Sequence, residues 1–457
     1  MYKFITASLK ISLLALGCFF SINSRSLAQV TSDGTVDTQV NQNGNISEIT
    51  GGETRGNNLF HSFGDFSVGT GNEAFFNNAD SISNIFSRVT GGNISNIDGL
   101  IRNNGSASLF LINPAGIILG ENARLDVGGS FYSSSASSIL FEDGEFSAVD
   151  NLNEPILTIN APIGLGFRDN PGDITVRGDG LGTRLSDSEP VDTQNALRVG
   201  GNATIGIVGG NLIFESATIK TAGGRIELGS VAEGTVDLVE AANGFTIDYS
   251  GVEAFGEISL SGNSSAVDAS GNGGGNINVA GRNISLNDSS AIEANTLGDG
   301  TGGTIDIFAT ESVNLSGVEN ENNFVSGISN RAFANATGNA GNINIETGSL
   351  SIGDRAAIFA TSSGQGNAGN INIDADSVSL ASQGNISSIL SFVNSDGTGN
   401  AGNINIDAAN SVRLQGQIDS EGEANRAVIS SENARSATPP VTIATQIAKA
   451  NPVPAKK

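Results

Sequence analysis

The chain has 457 residues, of which 61 are glycine, 9 are proline and none is tryptophan, and its formal net charge is −25. Glycine at this level without a three-residue period excludes collagen, and short apolar runs throughout the chain argue against wholesale disorder. The dispersed acidic residues repel phosphate backbones, which excludes nucleic acid as a partner. Such a surface is compatible with Ca²⁺ binding and equally with simple solubility outside a cell.

The first 28 residues predict a secretory signal peptide. Lys3 and Lys10 give this segment a positively charged start. The apolar run Ile11–Phe20 that follows is too short to span a bilayer. Small residues then close the segment and predict cleavage between Ala28 and Gln29.

Lipidation at Cys18 is the alternative to this cleavage. It is disfavoured because Ala15 stands where a lipidation signal carries leucine. Cleavage at Ala28 removes three basic residues and no acidic ones, so the formal charge becomes −25 − 3 = −28. It also removes Cys18, the one cysteine of the chain. We therefore expect stability to come from repetition and backbone pairing rather than from disulfides.

Residues 29–166 are richer in phenylalanine and less repetitive than the rest of the chain. Their most hydrophobic stretch, Leu109–Gly120, places two apolar runs around the sequence Asn-Pro-Ala-Gly, which begins at Asn113. Proline fixes φ and removes a backbone donor, and glycine permits a tight bend. From these residues alone, the tetrapeptide predicts a β-turn.

Three blocks of this region carry a family resemblance: Ile49–Val68, Ser83–Arg102 and Ser108–Phe131. They resemble the N-terminal two-partner secretion domain, also called the hemagglutination activity domain, of filamentous-hemagglutinin-like exoproteins. The blocks stand in the family's order and with family-like spacing. The glycine-rich remainder of the chain is similar to the cyanobacterial version of this family.

The hallmark of the family is an Asn-Pro-Asn-Gly-Ile motif. This chain keeps Asn113, Pro114, Gly116 and Ile117 but has Ala115 in place of the second asparagine. The resemblance implies that these four residues form the secretion motif, with apolar runs on both sides acting as strands of a solenoid. The alanine leaves no role for a side-chain amide at that position but is compatible with the turn.

The resemblance also implies a route and a fold. Such proteins reach the periplasm by a signal peptide, and a partner outer-membrane β-barrel with periplasmic domains recognises their N-terminal domain. The exoprotein crosses unfolded and winds outside into a right-handed parallel β-helix with an N-terminal cap. Because each new turn adds main-chain pairing and buries apolar side chains, folding outside can bias transport forward.

Residues 167–270 continue the strand texture less regularly, and Gly178–Asn195 is expected to be an excursion or a loop. Residues 271–436 contain a repeat, Gly-x-Ile-x-[Ile/Val], with intervals of 28, 38, 28 and 33 residues. The interval of 38 predicts an insertion at Ser316–Thr337. The repeat begins at Gly275, Gly303, Gly341, Gly369 and Gly402.

Short strands without a helical period predict one turn of a parallel β-helix per repeat. Ile343 and Ile345 alternate with polar residues at period two, so one strand side would face the core. Asn342, Asn370 and Asn403 recur at one place of the repeat and could stack as a ladder. The fold is therefore predicted to be all-β. Residues 437–457 break the pattern and predict a flexible tail.

No residue set predicts catalysis or a cofactor. His61, the single histidine, lies between apolar residues in Asn-Leu-Phe-His-Ser-Phe and is expected to be structural. The Arg-Gly-Asp-Gly-Leu-Gly sequence at Arg177 occurs once and is better explained as a loop than as a Ca²⁺ repeat. A β-helical polysaccharide lyase or glycosidase is the alternative, but it needs a carboxylate pair that nothing in the sequence singles out.

We therefore expect a secreted or surface-exposed adhesin or surface-structural protein of a Gram-negative-type bacterium. Its expected partners are the transporter barrel and cell-surface glycans or proteins. Neither nucleic acid nor a transmembrane anchor is expected. Whether the chain is a shortened version of a longer exoprotein stays open at this point.

Overall fold

The structure is a computed structural model, and it describes residues 29–149, 157–168, 170–180, 184–185, 190–191, 195–317, 326–353, 355–382, 385–416, 427–433 and 446–447. These residues form strands, turns and loops and contain no helix. The predicted signal peptide lies outside them, as does the predicted tail except for its residues 446–447. The all-β prediction is confirmed.

The strands of the N-terminal third are β1 (Val30–Ser32), β2 (Thr38–Asn43), β3 (Ile46–Gly51), β4 (Glu53–Arg55), β5 (Asn58–Phe66), β6 (Glu73–Phe76), β7 (Asn84–Val89), β8 (Ser95–Ile97), β9 (Leu100–Asn103), β10 (Ser108–Ile112), β11 (Ile117–Leu119), β12 (Arg124–Asp126), β13 (Phe131–Ser134), β14 (Ser138–Phe141) and β15 (Gly144–Ser147). The next are β16 (Gly164–Phe167), β17 (Ile174–Arg177), β18 (Arg184–Leu185), β19 (Pro190–Val191), β20 (Leu197–Arg198), β21 (Thr204–Gly209), β22 (Leu212–Glu215), β23 (Thr218–Lys220), β24 (Arg225–Ala241), β25 (Gly244–Asp248), β26 (Val252–Phe255) and β27 (Glu257–Ser261). The last are β28 (Ala266–Asp268), β29 (Asn276–Leu286), β30 (Ala291–Glu293), β31 (Ile305–Leu315), β32 (Ser326–Ser329), β33 (Ile343–Ile352), β34 (Ala356–Phe359), β35 (Ile371–Ala381), β36 (Ser387–Val393), β37 (Ile404–Gln415), β38 (Ala427–Asn433) and β39 (Gln446–Ile447).

Three stacks of parallel strands form the faces of a β-helix, and one turn of it is here called a rung. The first face stacks β5, β7, β10, β13, β21 and the start of β24, then β29, β31, β33, β35 and β37. The second face stacks β8, β11, β17, β22 and β27 and continues through the second halves of the long strands from β29 onward. The third face stacks β3, β6, β9 and β12, and then β20, β23, β28, β30, β32, β34, β36 and β38. The predicted parallel β-helix is confirmed.

Antiparallel strands cap the first rungs. Strand β1 pairs antiparallel with β5, and the hairpin partners β2–β3 and β4–β5 lie beside the same rungs. Gly44 sits at the tip of the β2–β3 hairpin with φ of 62°, a conformation that favours glycine. The parallel edge of the first rung is therefore paired rather than open, which protects it from edge-to-edge association.

A second antiparallel sheet stands outside the solenoid, and we call it the excursion sheet. It consists of β14, β15, β16, β25, β26 and the second half of β24. Strand β24 starts on the first face of the solenoid and then leaves it, so one strand of 17 residues serves both sheets. Up to Ser230 strand β24 pairs in parallel with β21, and from Val231 onward it pairs antiparallel within the excursion sheet.

Two further predictions are adjusted by the structure. Within the predicted insertion Ser316–Thr337, Ser326–Ser329 is strand β32 and pairs in register with β30 and β34, so this part belongs to a regular rung. Within the predicted excursion Gly178–Asn195, β18 and β19 form a short antiparallel pair. The ladder expected at Asn370 is present, because its main-chain N–H donates to Asn342 Oδ1 at 2.9 Å and its own Oδ1 accepts from Asn403 N–H at 2.8 Å.

The apolar side chains divide into two cores. One fills the solenoid along its length, from Phe63 and Phe76 in the first rungs to Ile371 and Leu380 in the later ones. The other lies outside the solenoid, between its first face and the excursion sheet. The first rungs are thus buried on both sides of the first face, whereas later rungs are buried only on the inner side.

Candidate functional site

The predicted secretion motif lies at a corner of the solenoid. Strand β10 belongs to the first face and β11 to the second, and the residues between them make the turn that joins the two faces. The two apolar runs expected to be rung strands are β10 and β11. The main-chain N–H of Gly116 donates to Asn113 O at 2.9 Å, which closes the turn.

Asn113 ties this corner to the corner of the preceding rung. Its side chain is completely buried. Its Nδ2 donates to Asn93 O at 2.9 Å and to Ser95 Oγ at 2.8 Å, while its Oδ1 accepts from the main-chain N–H of Ala115 at 3.0 Å. One amide therefore fixes the local turn and the stacking of two rungs at once.

The other side of the turn is tied to the next corner. Pro114 O accepts from Gly172 N–H at 2.8 Å, and Ile117 N–H donates to Asp173 O at 3.1 Å. Gly116 has φ of 111°, and a Cβ at this position would lie 2.7 Å from Asp173 O. Glycine is required here both by the backbone conformation and by the close approach of the next rung.

The four predicted motif residues therefore differ in accessibility. Asn113 and Ile117 are buried, and Gly116 lies against the next corner. Pro114 and its neighbour Ala115 are half-buried and are the part of the turn that reaches the surface. The turn shapes a corner of the solenoid. Its surface part, Pro114 and Ala115, is small and apolar and offers no polar side chain for recognition.

Beside this corner runs a column of aromatic side chains that the sequence analysis did not identify. On the outward side of the first face, successive rungs carry Phe60, Phe86, Phe110 and Tyr132 in register. Adjacent rings lie 5.2, 5.0 and 4.4 Å apart between centroids. The excursion sheet covers them, and all four are buried. The sequence did contain a signal for this column. These strands have apolar residues at consecutive positions, whereas a strand with one side in solvent would alternate apolar and polar residues.

Arg88 joins the cap, the solenoid and the excursion sheet. It is 1% exposed. Its Nε donates to Ser62 Oγ at 2.8 Å, its Nη2 donates to Thr35 Oγ1 at 2.8 Å, and its Nη1 donates to Ser147 O. Burial lowers the pKa of Arg88, and the nearby Asp33 carboxylate opposes this shift. The sequence analysis missed this residue because its partners are far apart in the chain.

His61 is structural, as expected from its apolar neighbours. It is 1% exposed, its Nδ1 lies 3.1 Å from Thr38 Oγ1, and its ring stacks on Phe63 with centroids 6.0 Å apart. Burial lowers the pKa of His61 to about 3. The imidazole is therefore neutral at physiological pH and packs as part of the core.

Glu227 marks the point where the excursion leaves the solenoid. It is completely buried, accepts a hydrogen bond from Asn278 Nδ2 at 3.0 Å and lies 3.4 Å from Arg225 Nη1. Burial raises the pKa of Glu227 to about 7, against the opposing effects of Arg225 and Asn278. Tyr249 is half-buried near it with its hydroxyl oxygen buried, and this burial raises the pKa of Tyr249 well above its ordinary value.

Beyond Glu227 the first face is open. A groove of about 610 Å³ runs along it, lined by polar side chains, isoleucines and one phenylalanine from five rungs. Asn372 Nδ2 donates to Asn344 Oδ1 at 2.8 Å, and Asn405 Nδ2 donates to Asn372 Oδ1 at 2.8 Å, so amides form a ladder in the groove. Exposed carboxylates stack beside the ladder on Glu346, Asp374 and Asp407.

Within the described ranges, no group of three or more histidine, cysteine or acidic side chains is placed to hold a metal ion. In the same part of the chain, no helix is long and apolar enough to cross a membrane.

Of the predicted cleavage site, Ala28 lies outside the described residues. Gln29 is described, and its main-chain oxygen accepts a hydrogen bond from Ser67 N–H at 2.9 Å.

Comparison with known proteins agrees with this architecture. The family model described as the TPS secretion domain matches residues 28–279. The heme/hemopexin-binding protein of Haemophilus influenzae is 31% identical over 144 residues, which are 32% of this chain and 15% of that protein. The aligned part thus spans well under a quarter of that relative's length.

A solved secretion domain shares the fold. The alignment with the crystal structure of the HMW1 secretion domain from Haemophilus influenzae covers 89% of this chain and 98% of that domain, with 17% identity and a TM-score of 0.55. The alignment with the filamentous hemagglutinin secretion domain covers 88% of this chain and 99% of that domain, with 14% identity and a TM-score of 0.29.

The family match takes in the cap, the Asn113 corner, the aromatic column and the excursion sheet, and it spans more than half of the chain. The chain belongs to the TPS secretion domain family, the exoproteins of two-partner secretion.

Proposed function

We propose that this chain is exported through the periplasm and across the outer membrane by a partner β-barrel with periplasmic domains. Outside the cell it acts as an adhesin or surface-structural protein that contacts cell-surface glycans or proteins. The observation that carries the proposal is the match of the secretion-domain family to residues 28–279. We assign the protein to the cyanobacterial type of this family on the glycine-rich texture of its later rungs.

The order of the structural elements supports export in the unfolded state. The first rungs have a paired edge and, once the excursion strands up to Phe255 have emerged, two cores, so this part can fold before the later rungs emerge. Each later rung then pairs in register with the one before it and contacts few other elements. Nearest-neighbour stacking of this kind lets folding propagate along the chain and draw it outward.

We assign the secretion motif to Asn113, Pro114, Gly116 and Ile117. Because Asn113 and Ile117 are buried in the folded protein, their side chains act by building the corner. The half-buried Pro114 is the motif residue that a transporter could still touch after folding. The motif thus joins an architectural role to a small accessible surface.

We also assign signal cleavage between Ala28 and Gln29, with residues 29–166 as the secretion domain. Residues 167–270 continue the β-helix, residues 271–436 form its repeats and residues 437–457 form a tail. The hydrogen bond from Ser67 N–H to Gln29 O supports the cleavage site, because it ties the residue after the site into the folded cap. The intact mass of exported protein tests the site, and a lipidated Cys18 would contradict it.

A non-enzymatic role is supported by the setting of the stacked carboxylates. A glycosidase holds one carboxyl group where it stays protonated, typically in an apolar pocket. Glu346, Asp374 and Asp407 instead lie exposed on an open strand face. This favours a solvated binding or structural surface over a hydrolytic site.

Export tests the proposal directly. The full chain is expressed with its partner barrel as the one available route, and protein in the medium is measured. We expect loss of export on deletion of residues 29–166 and retention on deletion of residues 271–436. Recovery of the first variant from the medium would contradict the assignment of the secretion domain.

The pair Asn113→Ala with Pro114→Ala separates recognition from architecture. We expect export and folding to fail together, because Asn113 bridges two corners through its amide. Thermal unfolding of the purified chain gives the folding readout. A variant that folds with near-normal stability but is no longer exported would instead make the turn a recognition element.

A further inference from the structure

We propose that Lys220 and Asp268 form an intramolecular amide bond, a covalent cross-link between two rungs of the third face. Lys220 ends β23 and Asp268 ends β28, and the two strands pair in parallel with these residues in register. Lys220 Nζ lies 2.6 Å from Asp268 Oδ2. The amine and the carboxyl group that would react are therefore already in contact.

The surroundings of this pair exclude water. Asp268 is completely buried, and Lys220 is 9% exposed. The main-chain N–H of Ser270 donates to Asp268 Oδ1 at 2.8 Å and so fixes the orientation of the carboxyl group. Two reactants held in contact gain a large effective concentration, and a dry site favours loss of water over hydrolysis.

A third group stands where it can move protons. Glu293 follows Asp268 in the same column, one rung further and about 4.8 Å along the solenoid, and it is 7% exposed. Arg331 lies near Glu293. Burial lowers the pKa of Arg331, and the Glu293 carboxylate opposes the shift. Glu293 is thus a carboxyl group one rung from Asp268 in the same column, a position that suits proton transfer to and from the reacting pair.

The step balances without another reactant. The ε-nitrogen of Lys220 gives up a proton to Glu293 and attacks Cγ of Asp268, so that a C–N bond forms. Glu293 passes this proton to the departing carboxylate oxygen and then relays a second proton from the newly bonded nitrogen to the same oxygen, the C–O bond breaks, and one water leaves. The ammonium and carboxylate become an amide and water, and nothing is oxidised or reduced.

The position of the bond at the base of the excursion indicates what it would stabilise. The 48 residues from Lys220 to Asp268 include the part of β24 that leaves the solenoid, and β25 and β26 of the excursion sheet. An amide bond would close this loop at its base and hold the rungs on either side of the excursion together. The chain has a single cysteine, so it cannot form an intrachain disulfide for this purpose. This inference does not depend on the proposed export route.

Mass spectrometry of the folded full chain tests the bond. We expect an intact mass lower than the sequence mass by about 18 Da, the mass of one water. Trypsin would no longer cut after Lys220, and the digest would contain peptide 199–225 joined to peptide 226–282. This branched peptide distinguishes the cross-link from a cyclic imide, which also loses water but joins no second peptide.

Two variants complete the test. Lys220→Arg keeps the charge opposite Asp268 and should show the full sequence mass and no branched peptide, with an unchanged circular dichroism spectrum. Glu293→Gln should greatly reduce the cross-linked fraction. A wild-type chain with the sequence mass and normal cleavage at Lys220 would overturn the proposal, and a fully cross-linked Glu293→Gln variant would overturn the role of Glu293.

Discussion

One column of in-register positions runs along the outward side of the first face from β5 to β37, and its two ends carry different side chains. In the rungs of β5 to β13 the column is Phe60, Phe86, Phe110 and Tyr132, covered by the excursion sheet. In the rungs of β29 to β37 the same column is Asn278, Asp306, Asn344, Asn372 and Asn405, and it faces an open groove. We call these the covered rungs and the open rungs.

The difference shows how one backbone pattern serves two purposes. Main-chain pairing is the same in both regions, so the side-chain column decides what each region adds. Buried aromatic rings add a second core, and its contacts join residues that are far apart in the chain. A ladder of amides adds hydrogen bonds between neighbours and leaves the surface free. The covered rungs suit nucleation, and the open rungs suit extension and contact.

The largest expected effect comes from removing one aromatic ring of the covered rungs. Phe86 is completely buried, with Phe60 and Phe110 rings 5.2 and 5.0 Å away. Phe86→Ala should lower the free energy of unfolding by about 3–5 kcal/mol, because it leaves a cavity between two sheets. Denaturant unfolding followed by circular dichroism measures it.

Phe308→Ala is the control, because Phe308 lies half-buried on an open rung, where its ring contacts one ring of the excursion sheet, Phe255, with centroids 5.6 Å apart. We expect this substitution to lower the free energy of unfolding by about 1 kcal/mol, because Phe308 is only partly buried. Equal costs for the two substitutions would show that the excursion sheet does not create a second core.

The open rungs were predictable from sequence and the covered rungs were not. Gly-x-Ile-x-[Ile/Val] repeats at intervals of 28 to 38 residues, and its period of two assigns the inner side of each strand. The excursion strands have the same period of two as rung strands, so periodicity could not tell that β24 leaves the solenoid midway. The turn at Asn113 was predictable from Asn-Pro, but its bonds to Asn93 and Ser95 join different rungs and have no local signal.

The second prediction concerns the boundary between the two regions, at Glu227. Its folded-state pKa is raised from 4.5 to about 7 by burial. The stability linked to this group is therefore fully present below pH 4.5 and is lost as pH rises towards 7. Glu227→Gln does not titrate, so its stability relative to wild type should rise by about 1.4 kcal/mol per pH unit across this window.

His61 in the covered rungs has the opposite dependence. Its folded-state pKa is lowered from 6.5 to about 3, so the stability linked to it is present above pH 6.5 and falls as pH drops towards 3. Between pH 4.5 and 6.5, the fall in stability with pH that is linked to Glu227 and the rise that is linked to His61 offset each other in the wild type. Thermal unfolding of Glu227→Gln should therefore reveal a stability that rises with pH. A variant that parallels the wild type at every pH would contradict the buried, protonated state of Glu227.

A smaller effect is expected at the Asn113 corner. Gly116→Ala places a methyl group 2.7 Å from Asp173 O on a residue with φ of 111°. We expect a loss of about 2 kcal/mol from backbone strain and the clash. Gly34→Ala is the control, because Gly34 also has positive φ, 78°, but an added Cβ meets nothing within 4 Å. If both alanines cost the same, the contact between neighbouring corners would not matter, and positive φ alone would explain the glycine.

The smallest effect is expected from the amide ladder, at the column position that corresponds to Phe86. Asn372→Ala removes one hydrogen bond to Asn344 and one from Asn405. Because water can replace both partners in the open groove, the loss should be about 1 kcal/mol. Unfolding of Asn372→Ala, Asn344→Ala and the double variant isolates the coupling between the two amides. A loss that matches Phe86→Ala would mean that the open rungs are as tightly interlocked as the covered ones, whereas a loss near 1 kcal/mol with measurable coupling makes the ladder a register guide that leaves the groove accessible.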